Sequence, residues 1–459
     1  MVLLAVFGPT WEPDWGSYSS FADTILAGGD WLHDAGLASD AVPLTLFRSI
    51  GYPLVVALFR AVLGNGSVHL YAIVLMQIAL SLVATVLVWR LALLLTGCRR
   101  AALLASGGHA VALTMLYDQS LLSDSLYASL FVICWSVPLI AFAARRPVCL
   151  ATLAGLGLLY GYSCLQRGTG LVFLVLVLPG VVAWAWRGAR GFKRAGALVA
   201  FLIPMALVTG GDMAWNHSRT GQWIMTTGAQ FVMIQPMVKA AGRGFHVFDG
   251  DTPIDALAAK HLRTYDYNEV GPIVDGLFSE YGLNAIQSAE LHKQVFVRSW
   301  LRHPWAMTHN MLQNFNNSIF FQFFDPLDSA FFYSRMVTGD RLFPGFGAAW
   351  ASVRGGNPLP LVAIVAVSLC RAVAYLAFAT LLVGGLVTAW RAIRRRGLSE
   401  AEWMALGLWA LFFGYTGVLC AIHMVGRFLP AALPAGLIAA LFFANQARAA
   451  LAARKLGVA

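Results

Sequence analysis

Residues 70–89 read LYAIVLMQIALSLVATVLVW, a run without any charged side chain. A bilayer core of ~30 Å needs roughly 20 apolar residues in a helix, so this run predicts a membrane-spanning helix. The whole chain has the same character, since 59% of its 459 residues are hydrophobic and only 12% are charged. A soluble protein of that composition would be coated with apolar surface. We therefore expect the bilayer to be the solvent for this chain.

Uncharged runs of similar length recur and predict an all-α integral membrane fold with nine full spans. The opening MVLLAVFG is apolar but far too short to cross alone, so we interpret it as the end of a truncated first span. No basic residues precede it, which argues against a cleavable signal peptide. The nine predicted spans are residues 70–89, 101–116, 125–144, 148–166, 168–186, 195–211, 372–390, 403–422 and 428–447.

Cationic residues cluster in alternate connecting segments and predict the orientation of the chain. The clustered side is interpreted as cytoplasmic, so residues 9–69 and 212–356 face the periplasm or exterior. This topology explains most of the net charge of +10, and a nucleic-acid partner is therefore not expected. The clustered cations are Arg99, Arg100, Arg145, Arg146, Arg187, Arg190, Lys193, Arg194, Arg391, Arg394, Arg395, Arg396, Arg448, Arg454 and Lys455.

The chain divides into three parts by this pattern. Residues 1–211 form an N-terminal transmembrane core with a first outer loop at 9–69, and 212–356 form a large outer loop. Residues 357–459 form the C-terminal helices and a cytoplasmic tail. Both outer loops carry apolar residues at helical spacing, at 18–26, 48–63 and 286–323, which predicts interfacial helices.

Cysteine and histidine patterns give no metal or redox motif. The six cysteines are scattered, and the ten histidines show no ligand spacing such as HExxH. We expect no cofactor, although a divalent metal is left open.

Carboxylates follow predicted span ends on the outer side. Asp14 lies in TWEPDWGSY directly after the truncated first span, and Asp118 and Asp124 lie in YDQSLLSDSLY between two later spans. All three should emerge on one face. A carboxylate at a membrane exit can deprotonate or orient an incoming hydroxyl, and Glu12 competes with Asp14 for that role. The alternative is that these are solvated loop acids.

Two solitary arginines break the preference of positive charge for the cytoplasmic side. Arg167 lies in LQRGTG, and Arg427 follows CAIHMVG. Such a position is costly, so an anionic partner is expected, and the guanidinium fork suits a lipid phosphate. The alternative is a salt bridge, Arg167–Asp124 or Arg427–Asp118, that only ties helices together. Arg371 is a secondary candidate at the outer end of the next span.

The order of these segments resembles the GT-C superfamily of polyprenyl-phosphate-dependent glycosyltransferases. It is most similar to the family of protein O-mannosyltransferases and the bacterial lipid A aminoarabinose transferase. The resemblance covers most of the chain. The matching segments are EPDWGSYSSFADTILAGGDW, LFRSIGYPLVVALFRAVLG, LSDSLYASL, LQRGTG, WNHSRTGQWIMTTGAQF, RHPWAMTHNMLQNF and HMVGRFLPAALP.

This resemblance implies a GT-C-like helical bundle in a bacterial inner membrane, with its active site facing the periplasm. Its partners would be membrane lipids, a polyprenyl-phosphate sugar donor, and a hydroxyl acceptor on a lipid, glycan or protein. Asp14 matches the first-loop catalytic base, and the two solitary arginines match basic positions that hold the donor phosphate. The implied catalytic residues are Asp14 and Asp124, and the implied donor-binding residues are Arg167, Arg427, Tyr18 and His423.

Two positions depart from the family pattern. Asp14 is followed by Trp15 in place of serine or glutamate, and the Glu-x-Arg-Tyr pattern becomes Val425-Gly426-Arg427-Phe428. Two other functions stay open: a ligase or polymerase of lipid-linked glycans, and a transporter or flippase of a polyprenyl lipid. A transporter would be expected to show broken helices at mid-membrane depth and related halves, which are not clear here. We expect a monomer, with acceptor choice residing in residues 212–356.

Overall fold

In the computed structural model, the chain is built from helices joined by short connections. The structure describes residues 4, 8–11, 14–37, 42–111, 117–265, 269–317, 350–351, 353–356, 359–394, 397–424 and 426–455. Within these ranges no strand is present, and an isolated parallel bridge joins Thr10 and Ser120. The predicted all-α class is therefore confirmed for the described residues.

The helices are labelled in chain order, with short 3-10 turns left unlabelled. They are α1 (Trp15–Ala27), α2 (Leu44–Phe47), α3 (Gly51–Leu63), α4 (Ser67–Thr96), α5 (Arg99–Val111), α6 (Ser123–Ala143), α7 (Leu150–Gln166), α8 (Leu174–Gly188), α9 (Phe192–Thr220), α10 (Gly228–Phe231), α11 (Gln235–Gly242), α12 (Pro253–His261), α13 (Val270–Ser279), α14 (Ala285–Arg302), α15 (Pro304–Phe315), α16 (Leu359–Ile393), α17 (Glu400–Ile422) and α18 (Leu433–Lys455).

Among the described residues, six helices are long and apolar enough to cross a bilayer. They are α4, α6, α9, α17, α18 and the Tyr375–Ile393 part of α16. At 1.5 Å rise per residue, even α6, with 21 residues, reaches about the ~30 Å of a hydrocarbon core. The chain is a multi-pass membrane protein, as its composition predicts.

The remaining predicted spans correspond to shorter helices. The runs at 148–166 and 168–186 fold as α7 and α8, of 17 and 15 residues, and the 3-10 turn Gly168–Leu171 takes the first residues of the second run. The run at 101–116 corresponds to α5, of 13 residues, and its last part, 112–116, lies outside the described residues. Most of the opening apolar run, residues 1–8, also lies outside them, so the predicted partial span there stays a prediction. Helix α9 continues past the predicted end at 211 to Thr220, where Gly221 takes a left-handed φ of 73°.

The interior of the bundle is organised around α6. Trp135 and Phe131 of α6 are almost fully buried, and the Phe131 ring lies 5.3 Å from that of Tyr415 and 6.2 Å from that of Phe173. The Trp135 indole N–H donates to the carbonyl of Ala431 at 3.4 Å. Because buried residues occur all around α6, this helix is enclosed by its neighbours, whereas the other spans leave an apolar face open to lipid.

Helices α7 and α9 pack at glycines. A Cβ added to Gly157 would lie 2.1 Å from the carbonyl oxygen of Phe201, and one added to Gly161 would lie 3.1 Å from that of Met205. Two glycines four residues apart let the backbones approach closely, which is the usual way that helices associate inside lipid.

The outer helices α10 to α15 build a second hydrophobic core. Ile234, Leu257 and Ile273 are fully buried or nearly so within it. Helix α14 begins with a capping box, in which the Asn284 side chain accepts from the backbone N–H of Gln287. The unit is tied to the bundle at its far end, where the Asn314 amide donates to the carbonyl of Cys420 at 3.0 Å. Within the described residues 228–265 and 269–315, the predicted outer loop is therefore packed structure.

The interfacial segments of the first outer loop are helices, as predicted, in α1 and α3. Helices α14 and α15 cover most of the predicted segment 286–323, and its last part, 318–323, lies outside the described residues. That these helices run along the membrane surface stays a prediction.

Candidate functional site

Five charged side chains from five separate elements meet at one end of the bundle. Asp14 precedes α1, Asp124 lies in the first turn of α6, and Arg167 follows α7. Arg48 follows α2, and Arg427 lies in the 3-10 segment Gly426–Ala431 before α18. We call this set the charge cluster. The alternating topology of the spans brings these chain ends to the same side.

Local structure explains how the two acids are presented. Asp14 is the N-cap residue of α1, but its carboxylate makes no capping hydrogen bond, and the backbone N–H of Ser17 donates to the Asp14 backbone carbonyl at 3.1 Å. The Asp14 carboxylate is therefore available to other partners. Asp124 lies in the first turn of α6, where the helix dipole favours a negative charge.

Arg427 connects the two acids. Its Nη2 lies 2.8 Å from Oδ2 of Asp14, and its Nε lies 3.8 Å from Oδ2 of Asp124. Arg48 donates to Oδ1 of Asp14 at 2.5 Å, and Arg167 donates to Oδ1 of Asp124 at 2.5 Å. Each carboxylate is thus held between two guanidinium groups.

The charge cluster has an excess of positive charge. Three arginines face two carboxylates, which leaves one uncompensated positive charge. Lys239 of α11 adds another: it is half-buried, and no acid lies within salt-bridge distance of it among the described residues. Uncompensated positive charge at a partly buried site favours an anionic ligand.

Asp14 and Asp124 differ in accessibility. The Asp14 side chain is 22% exposed, whereas that of Asp124 is 2% exposed. Burial alone would raise the pKa of Asp14, but the nearby Arg48 and Arg427 outweigh it and lower the pKa below its ordinary value. Asp14 is therefore ionised at neutral pH and can be reached from outside. Asp124 is placed to orient Arg167 and Arg427.

The arginines are fixed by aromatic rings as well as by acids. The Arg167 guanidinium carbon lies 3.9 Å from the centre of the Phe428 ring, and that of Arg48 lies 5.0 Å from the Tyr18 ring. The Nε atoms of Arg48 and Arg427 are buried and have no hydrogen-bond partner. The Arg427 Nε faces Oδ2 of Asp124 at 3.8 Å, so its interaction there is an ion pair without a hydrogen bond.

The other predicted donor-binding residues adjoin the cluster. The Tyr18 hydroxyl is buried and lies 2.9 Å from the Ser123 hydroxyl, which fixes the ring. The guanidinium of Arg48 packs over this ring. His423 follows α17, and burial first, then the charges of Lys239 and Arg427, lower its pKa to about 3. His423 is therefore neutral at physiological pH.

Asp118 lies apart from the cluster. It is buried and accepts a hydrogen bond from the Ser125 hydroxyl at 2.6 Å, and burial raises its pKa to about 7. The alternative pair Arg427–Asp118 is not formed, whereas the alternative pair Arg167–Asp124 is. Glu12 and the Arg371 side chain lie outside the described residues.

Two members of the site were missed by sequence reasoning. Arg48 lies in LFRSIGYP and is a solitary outer cation like Arg167, so the same rule could have identified it. Lys239 carries no comparable signal, because it belongs to a helix of the large outer loop. Within the described part of the chain, no group of three His, Cys, Asp or Glu side chains could hold a metal ion.

The fold and the cluster together define a class: an all-helical, multi-pass membrane protein with a charged, anion-favouring site at one end of its bundle. Comparison of the chain with family models, with curated proteins and with solved structures finds no match. The functional assignment therefore depends on the residues of the site.

Proposed function

We propose that the protein is a membrane glycosyltransferase that moves a sugar from a polyprenyl-phosphate donor to a hydroxyl acceptor. The observation that carries this proposal is the charge cluster, in which an ionised, accessible Asp14 lies beside surplus positive charge at a bundle end. A base and an anion site that adjoin each other are what such a transfer needs.

The reaction would be a single displacement at the anomeric carbon. The acceptor oxygen forms the new glycosidic bond while its proton passes to the Asp14 carboxylate. The bond between the anomeric carbon and the phosphate oxygen breaks, and the polyprenyl phosphate leaves with the electron pair. Because the nucleophile enters opposite the leaving group, the anomeric configuration inverts. A phosphate leaving group needs little acid assistance, so a second carboxylic acid is not required.

The lowered pKa of Asp14 bears on the timing of the proton transfer. A weakly basic carboxylate does not deprotonate a free alcohol, but it accepts the proton once the oxygen has begun to bond and has become more acidic. Asp14 thus acts late in the displacement. Its two arginine partners keep it ionised and hold its position.

The arginines would bind the phosphate through the surplus charge. Arg427 is the main candidate, because it lies between both acids and its side chain is 24% exposed. Arg167 and Lys239 would add donors on the same side. Charge that develops on the departing phosphate is then stabilised by groups that are already in place.

We further propose the GT-C-like bundle with nine full spans. The short helices α5, α7 and α8 would complete the spans beside the six long ones. With arginine clusters on the cytoplasmic side, the charge cluster would face the periplasm of a bacterial inner membrane. Its position at a bundle end favours an enzyme over a transporter, since transporters bind near the bilayer midplane.

The test is transfer by the purified protein. The protein is incubated with synthetic polyprenyl-phosphate sugars and membrane extract, and mass spectrometry detects the glycosylated product. Asp14→Asn should reduce transfer by at least ~100-fold, as expected for loss of a general base. Asp23→Asn is the matched control, because Asp23 lies on the same helix α1 and also pairs with an arginine, Arg60, at 2.6 Å.

Transfer should persist in Asp23→Asn. Full activity of Asp14→Asn would remove Asp14 as the base. Failure of every donor to react with the wild-type protein would remove the glycosyltransferase proposal itself.

A further inference from the structure

A cleft of about 570 Å³ lies in the outer helical unit, between the turn that follows α9, the start of α12 and the first half of α14. Its size is within the ~300–1,000 Å³ typical of ligand sites. Four glutamines and one glutamate line it beside aliphatic side chains such as Ile286. The polar members are Gln222, Gln230, Gln287, Gln294 and Glu290.

The polar groups of this cleft are partly free. Gln287 uses its side-chain oxygen to accept from the backbone N–H of Asn284 at 2.9 Å. The side chains of Gln222 and Gln294 make no hydrogen bond within the described part of the protein. Each free amide offers a donor and an acceptor in one plane, which matches a pair of neighbouring hydroxyl groups.

The lining also excludes other ligand classes. No lysine, arginine, histidine or aromatic residue is among the residues that line the cleft, and Glu290 would repel an anion. The free amides of Gln222 and Gln294 are exposed, and an alkyl chain that covered them would take them out of water without a partner, at a cost of about 1–3 kcal/mol each. Extended peptides are usually recognised by a sheet edge, an aromatic groove or an arginine cluster, and this lining supplies none of them. A neutral, hydroxyl-rich ligand fits best.

The backbone of residues 46–48 lies between the cleft and the charge cluster. Its lining residue Thr227 donates its backbone N–H to the carbonyl of Leu46 at 2.8 Å, and Thr226 donates its hydroxyl to the carbonyl of Phe47 at 2.6 Å. The next residue along, Arg48, donates to Asp14. A Cβ on Gly228 would lie 2.5 Å from the Phe47 carbonyl oxygen, so the two layers are in direct contact.

We propose that this cleft binds a neutral oligosaccharide and holds it as the acceptor beside Asp14. The acceptor role depends on the proposed function, whereas the binding of the oligosaccharide does not. The cleft would take successive sugar rings, with amides on their hydroxyl groups and aliphatic side chains on their C–H faces. The growing end of the chain would then reach the charge cluster.

Binding can be measured without any transfer. Full-length protein in lipid nanodiscs is mixed with neutral gluco-, manno- and chito-hexaoses, with an anionic galacturonate hexamer, and with a neutral serine-rich peptide. Saturation-transfer NMR detects which probes bind. A neutral hexaose should give the strongest signal, and the double variant Glu290→Ala/Gln294→Leu should weaken its affinity at least tenfold.

The matched control is Glu280→Ala. Glu280 and Glu290 are both exposed and both pair with a lysine, at 2.6 Å and 3.2 Å, but only Glu290 lines the cleft. Binding by Glu280→Ala should equal that of the wild type. The inference is overturned if no neutral hexaose binds, if the peptide or the galacturonate binds more tightly, or if the double variant binds normally. Normal binding without detectable transfer would retain the cleft and reject the proposed reaction.

Discussion

The Nη2 of Arg427 lies 2.8 Å from a carboxylate oxygen of Asp14. This ion pair joins the segment before α1 to the 3-10 segment before α18. The same guanidinium has Asp124 at 3.8 Å, so one side chain ties three elements together. The Coulombic effect of both acids outweighs desolvation and raises the pKa of Arg427. Arg427 is therefore a permanent cation at the centre of the site.

The central position of Arg427 gives the first prediction. Arg427→Gln should raise the donor KM by ~10–100-fold, because a hydrogen bond to a charged group is worth about 1.5–3 kcal/mol. Arg427→Lys should retain part of the affinity, since it keeps the charge but loses the fork. Steady-state kinetics at varied donor concentration measures both.

Arg187→Gln provides the comparison for this variant. Arg187 also forms an ion pair, with Glu400 at 2.9 Å, but on a predicted cytoplasmic loop. The donor KM of the Arg187→Gln protein should equal that of the wild type. An unaltered donor KM in a folded Arg427→Gln protein would be incompatible with phosphate binding at this residue.

The second prediction concerns the pH dependence of transfer. Asp14 must be ionised to act as a base, so activity falls as the pH drops through its pKa. Because that pKa is lowered, kcat/KM should be flat from about pH 5 to 8 as far as this group is concerned. Arg48→Gln removes one of the two stabilising charges while burial remains, so the acid limb should move to higher pH.

A pH–rate profile of the two proteins decides this point. A merely structural role for Arg48 would lower activity equally at all pH values and leave the acid limb in place. The shift is therefore the readout that identifies Arg48 as the group that sets the ionisation of Asp14.

Much of the site could be predicted from the sequence, because topology alone controls which span ends meet. Asp14, Asp124, Arg167 and Arg427 each lie at the end of an apolar run, on the side that the sequence predicts to lack arginine clusters. The Arg167–Asp124 pair was one of the predicted alternatives, whereas the pairs of Asp14 with Arg48 and Arg427 could not be predicted, since they depend on how distant elements pack. The 2% exposure of Asp124, which changes its expected part in the site, follows from the enclosure of α6 by its neighbours.

The helix lengths and the cleft could not be read from sequence patterns. Hydropathy recognised the apolar runs, but it did not show that the 3-10 turn Gly168–Leu171 delays the start of α8 to Leu174. The cleft is assembled from Gln222 on one side and from Glu290 and Gln294 of α14 on the other, two segments that are far apart in sequence and belong to no motif. Long apolar helices are local properties, whereas pockets and ion pairs are tertiary ones.

The third prediction concerns Asp118, whose pKa is raised to about 7 mainly by burial. A carboxyl with a raised folded-state pKa stabilises the fold below its ordinary pKa, and this contribution is lost as pH rises towards 7. The free energy of unfolding in detergent should therefore be up to about 3 kcal/mol lower at pH 8 than at pH 5. Asp118→Asn should remove most of this difference, and a thermal melt at both pH values measures it. If Asp118→Asn shows the same difference in stability between pH 5 and pH 8 as the wild type, other groups cause that difference.

The last prediction tests the packing of α7 against α9. Gly157→Ala should destabilise the protein by about 1–3 kcal/mol, because the new Cβ would meet the carbonyl oxygen of Phe201 at 2.1 Å and force the helices apart. Gly155→Ala is the control on the same helix, since a Cβ there meets nothing within 4 Å. This control should be neutral or slightly stabilising, as alanine favours a helix. Thermal unfolding in detergent compares the two, and equal stability of both variants would show that the helices do not approach so closely. Because Arg167 directly follows α7, the Gly157 variant should also lose transfer activity, which the control should retain.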